Sequence, residues 1–296
     1  MIQCPTCDAI GADNMRRCVS CGFSVEQIEG FDAWAPKLAR ASSSEFFDPE
    51  KFKELAELEH SNFWFQARNE LILWALKKYF SEIRRFAEIG CGTGFVLSAV
   101  EKALPNTEVI GTELFINGLK LAVKRCPSVK FVQLDARRIP YREYFDLIGI
   151  FDVLEHIDED TTVLEQIGKA LVPGGGVLIT VPQHQWLWSP VDKAACHIRR
   201  YSASELQNKV ISAGFEILRS TSFVSLLLPA MMAARFAASR KAASGASAEL
   251  RINKHLNSIF RHVMAVECRL VQCGIDFAFG GSRLLVARKI ADDSFQ

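Results

Sequence analysis

The sequence predicts an α/β fold: a doubly wound, mostly parallel sheet of seven strands, with a small cysteine-rich module ahead of it and a helical insertion near the C-terminus. Three observations predict it. Between residues 86 and 182, short apolar runs alternate with helical patterns, as parallel strands joined by crossover helices do. The first run flows into Gly90-Cys91-Gly92-Thr93-Gly94, and the later ones end on carboxylates, Glu113, Asp135 and Asp152. Two C-x2-C pairs fall within the first 21 residues.

Composition narrows the class. The chain has 296 residues, with 35 Lys plus Arg against 34 Asp plus Glu, 49% hydrophobic and 23% charged. That balance belongs to a globular protein and not to a disordered one. A net charge of +1 gives no global field for nucleic acid. No run of 18 uninterrupted apolar residues marks a spanning helix. The start, MIQCPTCDAI, lacks the basic and apolar regions of a signal peptide. A cytoplasmic protein is therefore expected, with its nine cysteines reduced or metal-bound.

Cys4, Cys7, Cys18 and Cys21 make two tight knuckles separated by ten residues. Four soft ligands at that spacing suit a tetrahedral structural Zn2+. About 20 residues cannot bury a useful core, so metal would supply most of the folding energy. Residues 1–25 resemble a small zinc ribbon, and 26–48 read as a linker holding a Pro and a Ser run.

The second unit runs from 49 to 296. Asp48-Pro49-Glu50 looks like a helix start. The pattern then stays helical to Phe80, with an aromatic cluster at Phe63, Trp64 and Phe65 and with Arg68 on the side of Phe65. Phe86–Ile89 is the first strand, and its glycine loop opens a helix whose N–H groups can face a ligand. Val109–Glu113 ends on a carboxylate able to hold both hydroxyls of a ribose. Val129–Ala136 and Phe145–Val153 follow as strands ending near Asp135 and Asp152. The ligand is expected at the carboxyl ends of these strands.

The ordered set EIGCGTG, Glu113, Asp135, FDVLEH and LVPGGGVLITVP resembles the class I S-adenosylmethionine-dependent methyltransferases over roughly residues 50–220, with closing elements to about 290. The resemblance implies that Glu88, Gly90, Gly92 and Gly94 line the amino-acid end of S-adenosylmethionine. It implies Glu113, with Leu114 beside it, at the ribose, Asp135 and Ala136 at the adenine, and Phe151 and Asp152 at the methionine. Arg68, with Phe65, would reach the methionine carboxylate. A dinucleotide fold competes for the same loop, but its G-x-G-x-x-G spacing fails here, since Phe95 and Val96 follow Gly94.

After the fifth strand, residues 180–202 bring together His184, His197, Asp192, Arg199, Arg200 and the aromatics Trp186, Trp188 and Tyr201. The LWS-x2-D-x4-H-x-RRY pattern is similar to that of bacterial methyltransferases associated with surface polysaccharide and lipid-linked sugar synthesis. Methyl transfer requires the acceptor to be positioned and a proton removed. His184 and His197 are the candidate bases, with Asp192 orienting one of them. Trp188, Arg199, Arg200 and Tyr201 are the candidate acceptor-binding residues. Asp152-Val153-Leu154-Glu155-His156 is also similar to the acid-x-x-Glu-His run of quinone-pathway O-methyltransferases, where it can hold a divalent metal. Helix packing by His156 is the favoured reading here.

Gly214–Arg219 and Leu284–Lys289 read as the last two strands, with a helical insertion at about 224–279 between them. FVSLLLPAMMAA begins it, and seven basic residues between 219 and 261 face one acid, Glu249. This combination suits peripheral contact with the inner face of a membrane through 223–262, a helical lid or a dimer contact. Residues 238–248 read as a mobile stretch. The function expected is O-methylation of a glycan, a lipid-linked sugar or a related small molecule. RNA methylation and a non-catalytic cofactor-binding module are the alternatives.

Overall fold

The computed structural model describes residues 1–40, 49–238 and 252–291. In chain order the strands are β1 (Ile2–Gln3), β2 (Ile10–Gly11), β3 (Glu26–Ile28), β4 (Phe31–Ala33), β5 (Arg85–Ile89), β6 (Glu108–Glu113), β7 (Lys130–Gln133), β8 (Phe145–Phe151), β9 (Leu171–Pro182), β10 (Phe215–Phe223) and β11 (Ser282–Lys289). The helices are α1 (Pro36–Arg40), α2 (Pro49–Glu59), α3 (Phe63–Tyr79), α4 (Phe95–Ala103), α5 (Ile116–Arg125), α6 (Asp160–Ala170), α7 (Pro190–Ala194), α8 (Ala203–Ser212), α9 (Leu228–Ala238) and α10 (Lys254–Gln272).

The predicted doubly wound sheet is present. Its order is β10-β11-β9-β8-β5-β6-β7-β4-β3. Strands β4 to β9 run parallel in their pairings, and β11 enters antiparallel between β9 and β10. Alternation along the strands sends side chains to two cores. Ala87, Ile148, Val177 and Leu285 meet α6 and α8, while Phe86, Leu147, Leu178 and Leu284 meet α3, α4, α5 and α10. The loops at the strands' carboxyl ends then surround one cavity.

Two expectations are corrected. The sheet has nine strands, because residues 26–33, read as linker, form β3 and β4 and extend its edge. Phe31 and Ala33 are buried while Asp32 between them is not. Three residues of alternation are too few to register as a pattern, and pairing with β7 decides the matter. The Gln133 side chain clamps the following chain, accepting from Ala35 N at 3.1 Å and donating to Ala35 O at 3.2 Å. The long entry helix is also two helices. Asn62 breaks it by capping α3, its side chain accepting from Trp64 N at 2.8 Å.

Asp48 and residues 239–251 lie outside the described residues, as do Arg240, Lys241 and Arg251 of the basic cluster. Among the described residues no helix is long and apolar enough to cross a membrane.

Candidate active site

The glycine loop is shaped by backbone demands. Gly90 and Gly94 have φ of +70° and +75°, a region that side chains rarely adopt. A Cβ on Gly90 would sit 2.5 Å from the Val153 side chain, and one on Gly94 would sit 3.1 Å from the Ala122 backbone. Gly94 therefore brings α4 against α5 and does not line the cavity, whereas Gly90 and Gly92 do. Glu113, at the end of β6, accepts from Gly92 N at 3.0 Å, Leu114 N at 2.8 Å and Phe115 N at 3.0 Å. One carboxylate thus fixes the loop and the start of α5. Burial raises its carboxyl, and those backbone N–H groups work against the rise.

Glu88, at the end of β5, is 3% exposed, and burial pushes it up to about 8. Its Oε2 is buried without a hydrogen-bond partner. Asp152 follows β8 in the left-handed region, at φ +55°. There it accepts from Arg68 Nη1 at 2.5 Å and from Thr180 Oγ1 at 2.9 Å. Arg68 packs over the Trp64 and Phe65 rings, at 4.7 and 5.6 Å. Asp135 caps the short turn Ala136–Arg138 and pairs with Arg137 at 2.9 Å, so its carboxylate carries partners of its own. Phe65, Arg68, Glu88, Gly90, Gly92, Glu113, Leu114, Asp135, Ala136, Phe151 and Asp152 all line one cavity of about 1370 Å³.

The loop after β9 divides. Asp192 is 1% exposed and sits at a hub. It accepts from Arg200 Nε at 2.7 Å and Ser189 N at 2.8 Å, and meets His197 Nδ1 at 3.0 Å. These partners hold its carboxyl at about 2 against the desolvation that would raise it. His197 and Arg200 line the cavity. The other candidates do not. His184 is sandwiched between Trp186 and Phe279, with centroids at 5.0 and 5.5 Å. Its imidazole is lowered by burial first, then by Arg283 and Arg200. Arg199 is turned to Asp160, at 2.6 Å, and buried Tyr201 donates to the same carboxylate at 2.6 Å. Trp188, Arg199 and Tyr201 are absent from the cavity wall. Their spacing marks a loop tied down by ions, and only the fold tells which side chains turn inward.

Further residues complete the wall. Glu59 bonds Thr93 Oγ1 and Arg125 Nη1, both at 2.7 Å, a link across 66 positions that no local pattern carries. Glu155 and His156 line the cavity beside His197. Val224, Leu227, Met231, Leu256 and Phe260 roof it. Arg235 of α9 lines it as well, bonded to Leu187 O and 3.4 Å from Asp192. Arg219 is paired with Asp276 at 2.6 Å. The insertion therefore turns apolar residues and Arg235 toward the cavity, while Arg219, on β10, is held by Asp276 of the insertion.

At the N-terminus the four sulfurs of Cys4, Cys7, Cys18 and Cys21 lie within 4.8 Å of one another. Cys4–Cys21 and Cys7–Cys18 are each 3.6 Å apart. Tetrahedral zinc with bonds of about 2.3 Å puts its sulfurs roughly 3.8 Å apart, so the set fits that ion. The module docks on the main sheet's loops, with Gln3 N donating to Pro140 O at 2.6 Å and Arg142 N to Met1 O at 2.9 Å.

Residues 87–177 match the family described as a methyltransferase domain. The chain is similar to phthiotriol/phenolphthiotriol dimycocerosates methyltransferase 1 of Mycobacterium ulcerans (strain Agy99), 29% identical over 161 residues, covering 52% of the chain and 58% of that relative. It is 27% identical over 97 residues to trans-aconitate 2-methyltransferase of Azoarcus sp. (strain BH72), covering 33% of the chain and 38% of the relative. The chain thus spans under two thirds of either relative. Among solved structures it resembles Haemonchus contortus phosphoethanolamine N-methyltransferase 2 in complex with S-adenosyl-L-methionine, with a TM-score of 0.55, 16% identity, and coverage of 86% of this chain and 60% of that one. Residues 87–177 carry the signature of a methyltransferase domain, set in the Rossmann-like fold that class I methyltransferases share.

Proposed function

We propose that the chain is an S-adenosylmethionine-dependent methyltransferase that O-methylates a small acceptor with a substantial apolar body, such as a lipid-linked sugar. One observation carries the reading: the glycine loop, the acidic strand ends and His197 line a single cavity under an apolar roof. At about 1370 Å³ it exceeds the ~300–1,000 Å³ of a site for one drug-sized ligand, which leaves room for cofactor and acceptor together. The relatives are named for dimycocerosates and trans-aconitate, which supports a small-molecule acceptor.

Bound S-adenosylmethionine supplies a methyl group on positive sulfur, already a good electrophile. Glu88 fits its ammonium, because the buried, partnerless Oε2 needs a donor. Glu113 would hold the ribose hydroxyls, and Glu88, once it has given up its proton, would add a negative charge at this end of the cavity that favours a cation. His197 Nε2 is set to take the acceptor's hydroxyl proton while Asp192 on Nδ1 stabilises the imidazolium, freeing the oxygen to receive the methyl. Leu227, Met231 and Phe260 would cover the acceptor's apolar body. The Cys4, Cys7, Cys18, Cys21 set would hold one structural zinc.

The test incubates the full chain with methyl-labelled S-adenosylmethionine and fractionated extract of its source organism. Label in the organic-extractable or glycan fraction is expected. Label confined to RNA, or cofactor binding with no label anywhere, overturns the assignment.

A further inference from the structure

We propose that Glu155, His156 and His197 form a second metal site, for a zinc-like divalent cation, in the wall of the cavity. One ligand atom from each lies within 4.8 Å of the other two. Glu155 is fully buried, and neither of its carboxylate oxygens has a hydrogen-bond partner among the described residues. A buried carboxyl with both oxygens unsatisfied is costly, and a cation between it and two imidazoles removes the cost.

The surroundings match what orients metal-bound histidines. A ligating imidazole gives its other nitrogen to a carboxylate or a carbonyl, which fixes the tautomer. His197 Nδ1 is 3.0 Å from Asp192 Oδ1, and its Nε2 is 3.8 Å from Glu155 Oε1. His156 Nδ1 is 3.1 Å from the Cys196 carbonyl. The rings meet edge to face at 4.9 Å. Asp192 is itself held by Arg200 and Ser189, so the outer shell is rigid. Two imidazoles and one carboxylate are the donor set of open zinc and iron(II) sites. All three residues line the cavity, so the open position faces the acceptor. Asp152, the first acid of the D-x-x-E-H run, is engaged by Arg68 and Thr180 and is not part of the set. His197, 41 positions from His156, completes it.

The cation would bind an oxygen of the acceptor and lower its pKa, a role that rests on the methyltransferase reading. The ring of His197 would then ligate, and the proton of the cation-bound acceptor hydroxyl, acidified by the metal, would pass to solvent water instead of to His197. The binding itself rests only on these residues.

The full chain is stripped of metal, reloaded with Co2+ and assayed for cobalt content and absorption. Two cobalt ions per chain are expected, one with the thiolate charge-transfer band of the Cys4, Cys7, Cys18, Cys21 set and one without it. His156→Asn and His197→Asn should each bind one, with the thiolate band kept. Cys7→Ser with Cys21→Ser should keep the other, with that band lost, and this variant decides the matter if the histidine variants misfold. Asp192→Asn should weaken the second ion about 10–100-fold. One cobalt per wild-type chain, two in both folded histidine variants, or none in the cysteine variant overturns the site. In that event His197 keeps its role as base and the methyltransferase reading stands.

Discussion

Asp192→Asn is the substitution that separates architecture from chemistry at this site. The carboxylate is 1% exposed and serves Arg200, His197, Ser189 and Arg235 at once. An amide of the same shape keeps the packing and removes the charge. Breaking a buried ion pair costs about 3–5 kcal/mol. Arg200 retains the carbonyls of Gln183, at 3.0 Å, and Gly281, at 3.4 Å, so the lower end, about 3 kcal/mol, is expected. At about 2–4 °C per kcal/mol for a chain of this size, Tm should fall by roughly 6–12 °C in calorimetry at pH 7. The sign of the pH dependence follows from the depressed carboxyl. Its contribution is present above the ordinary value of 3.8 and is lost as pH falls through about 2, so the gap between the two proteins should narrow in acid. Cofactor affinity should change little, because the glycine loop and Glu113 are untouched. Methyl transfer by the folded variant should fall about 10–100-fold as His197 loses its orienting partner. A Tm within about 1 °C of wild type, on a scale where 1 kcal/mol moves it about 2–4 °C, would refute the hub.

Glu113→Ala should weaken S-adenosylmethionine binding by roughly 10²–10⁴-fold in calorimetric titration, the worth of two charge-assisted hydrogen bonds at about 1.5–3 kcal/mol each, and near-normal affinity would sink the ribose assignment. Binding should strengthen as pH rises toward 8, because Glu88 must lose its proton to hold an ammonium; Glu88→Gln should flatten that profile, and a wild-type profile already flat would remove Glu88 from the cofactor. Gly94→Ala should lower stability by about 1–3 kcal/mol through the left-handed backbone and the Ala122 clash, measured by denaturant unfolding, and an unchanged midpoint would mean the loop can shift. If the N-terminal cysteines hold zinc as proposed, a chelator should strip it and open residues 1–25 to proteolysis while β5 to β11 stay protected; a metal-free module that still resists protease would refute that site.

The glycine-loop side of the cavity was legible because its signals are local. A glycine loop announces itself by composition, and Glu113 and Asp135 by ending apolar runs. The side of the cavity formed by the loop after β9 was legible only in part. Asp192 and His197 stood out in an unusual loop, but so did His184, Arg199 and Tyr201, which the fold turns to other duties. Two aromatic rings enclose His184, and Asp160 absorbs the other two. Spacing reports which residues share a loop and not which face the cavity. Glu155 reads as one more acid in a motif until the structure leaves both its oxygens buried and bare. Strands β3 and β4 were hidden for a different reason: three residues cannot display a period, and their stability comes from β7, about 100 positions away.

The roof over the cavity leaves the sheet after Phe223 and returns at Ser282, and these two residues face each other across β10 and β11. Residues 224–281 are thus a detour whose two ends already touch. Closing a loop costs free energy that grows only with the logarithm of its length. The stretch of the detour ahead of α10 can therefore be lengthened, shortened or exchanged at little entropic cost, whereas α10 itself is tied into the core through Met264, Cys268 and Val271. The fold separates a fixed sheet from a cover that begins at α9, and in the proposed methyltransferase that cover is where the choice of acceptor would be retuned.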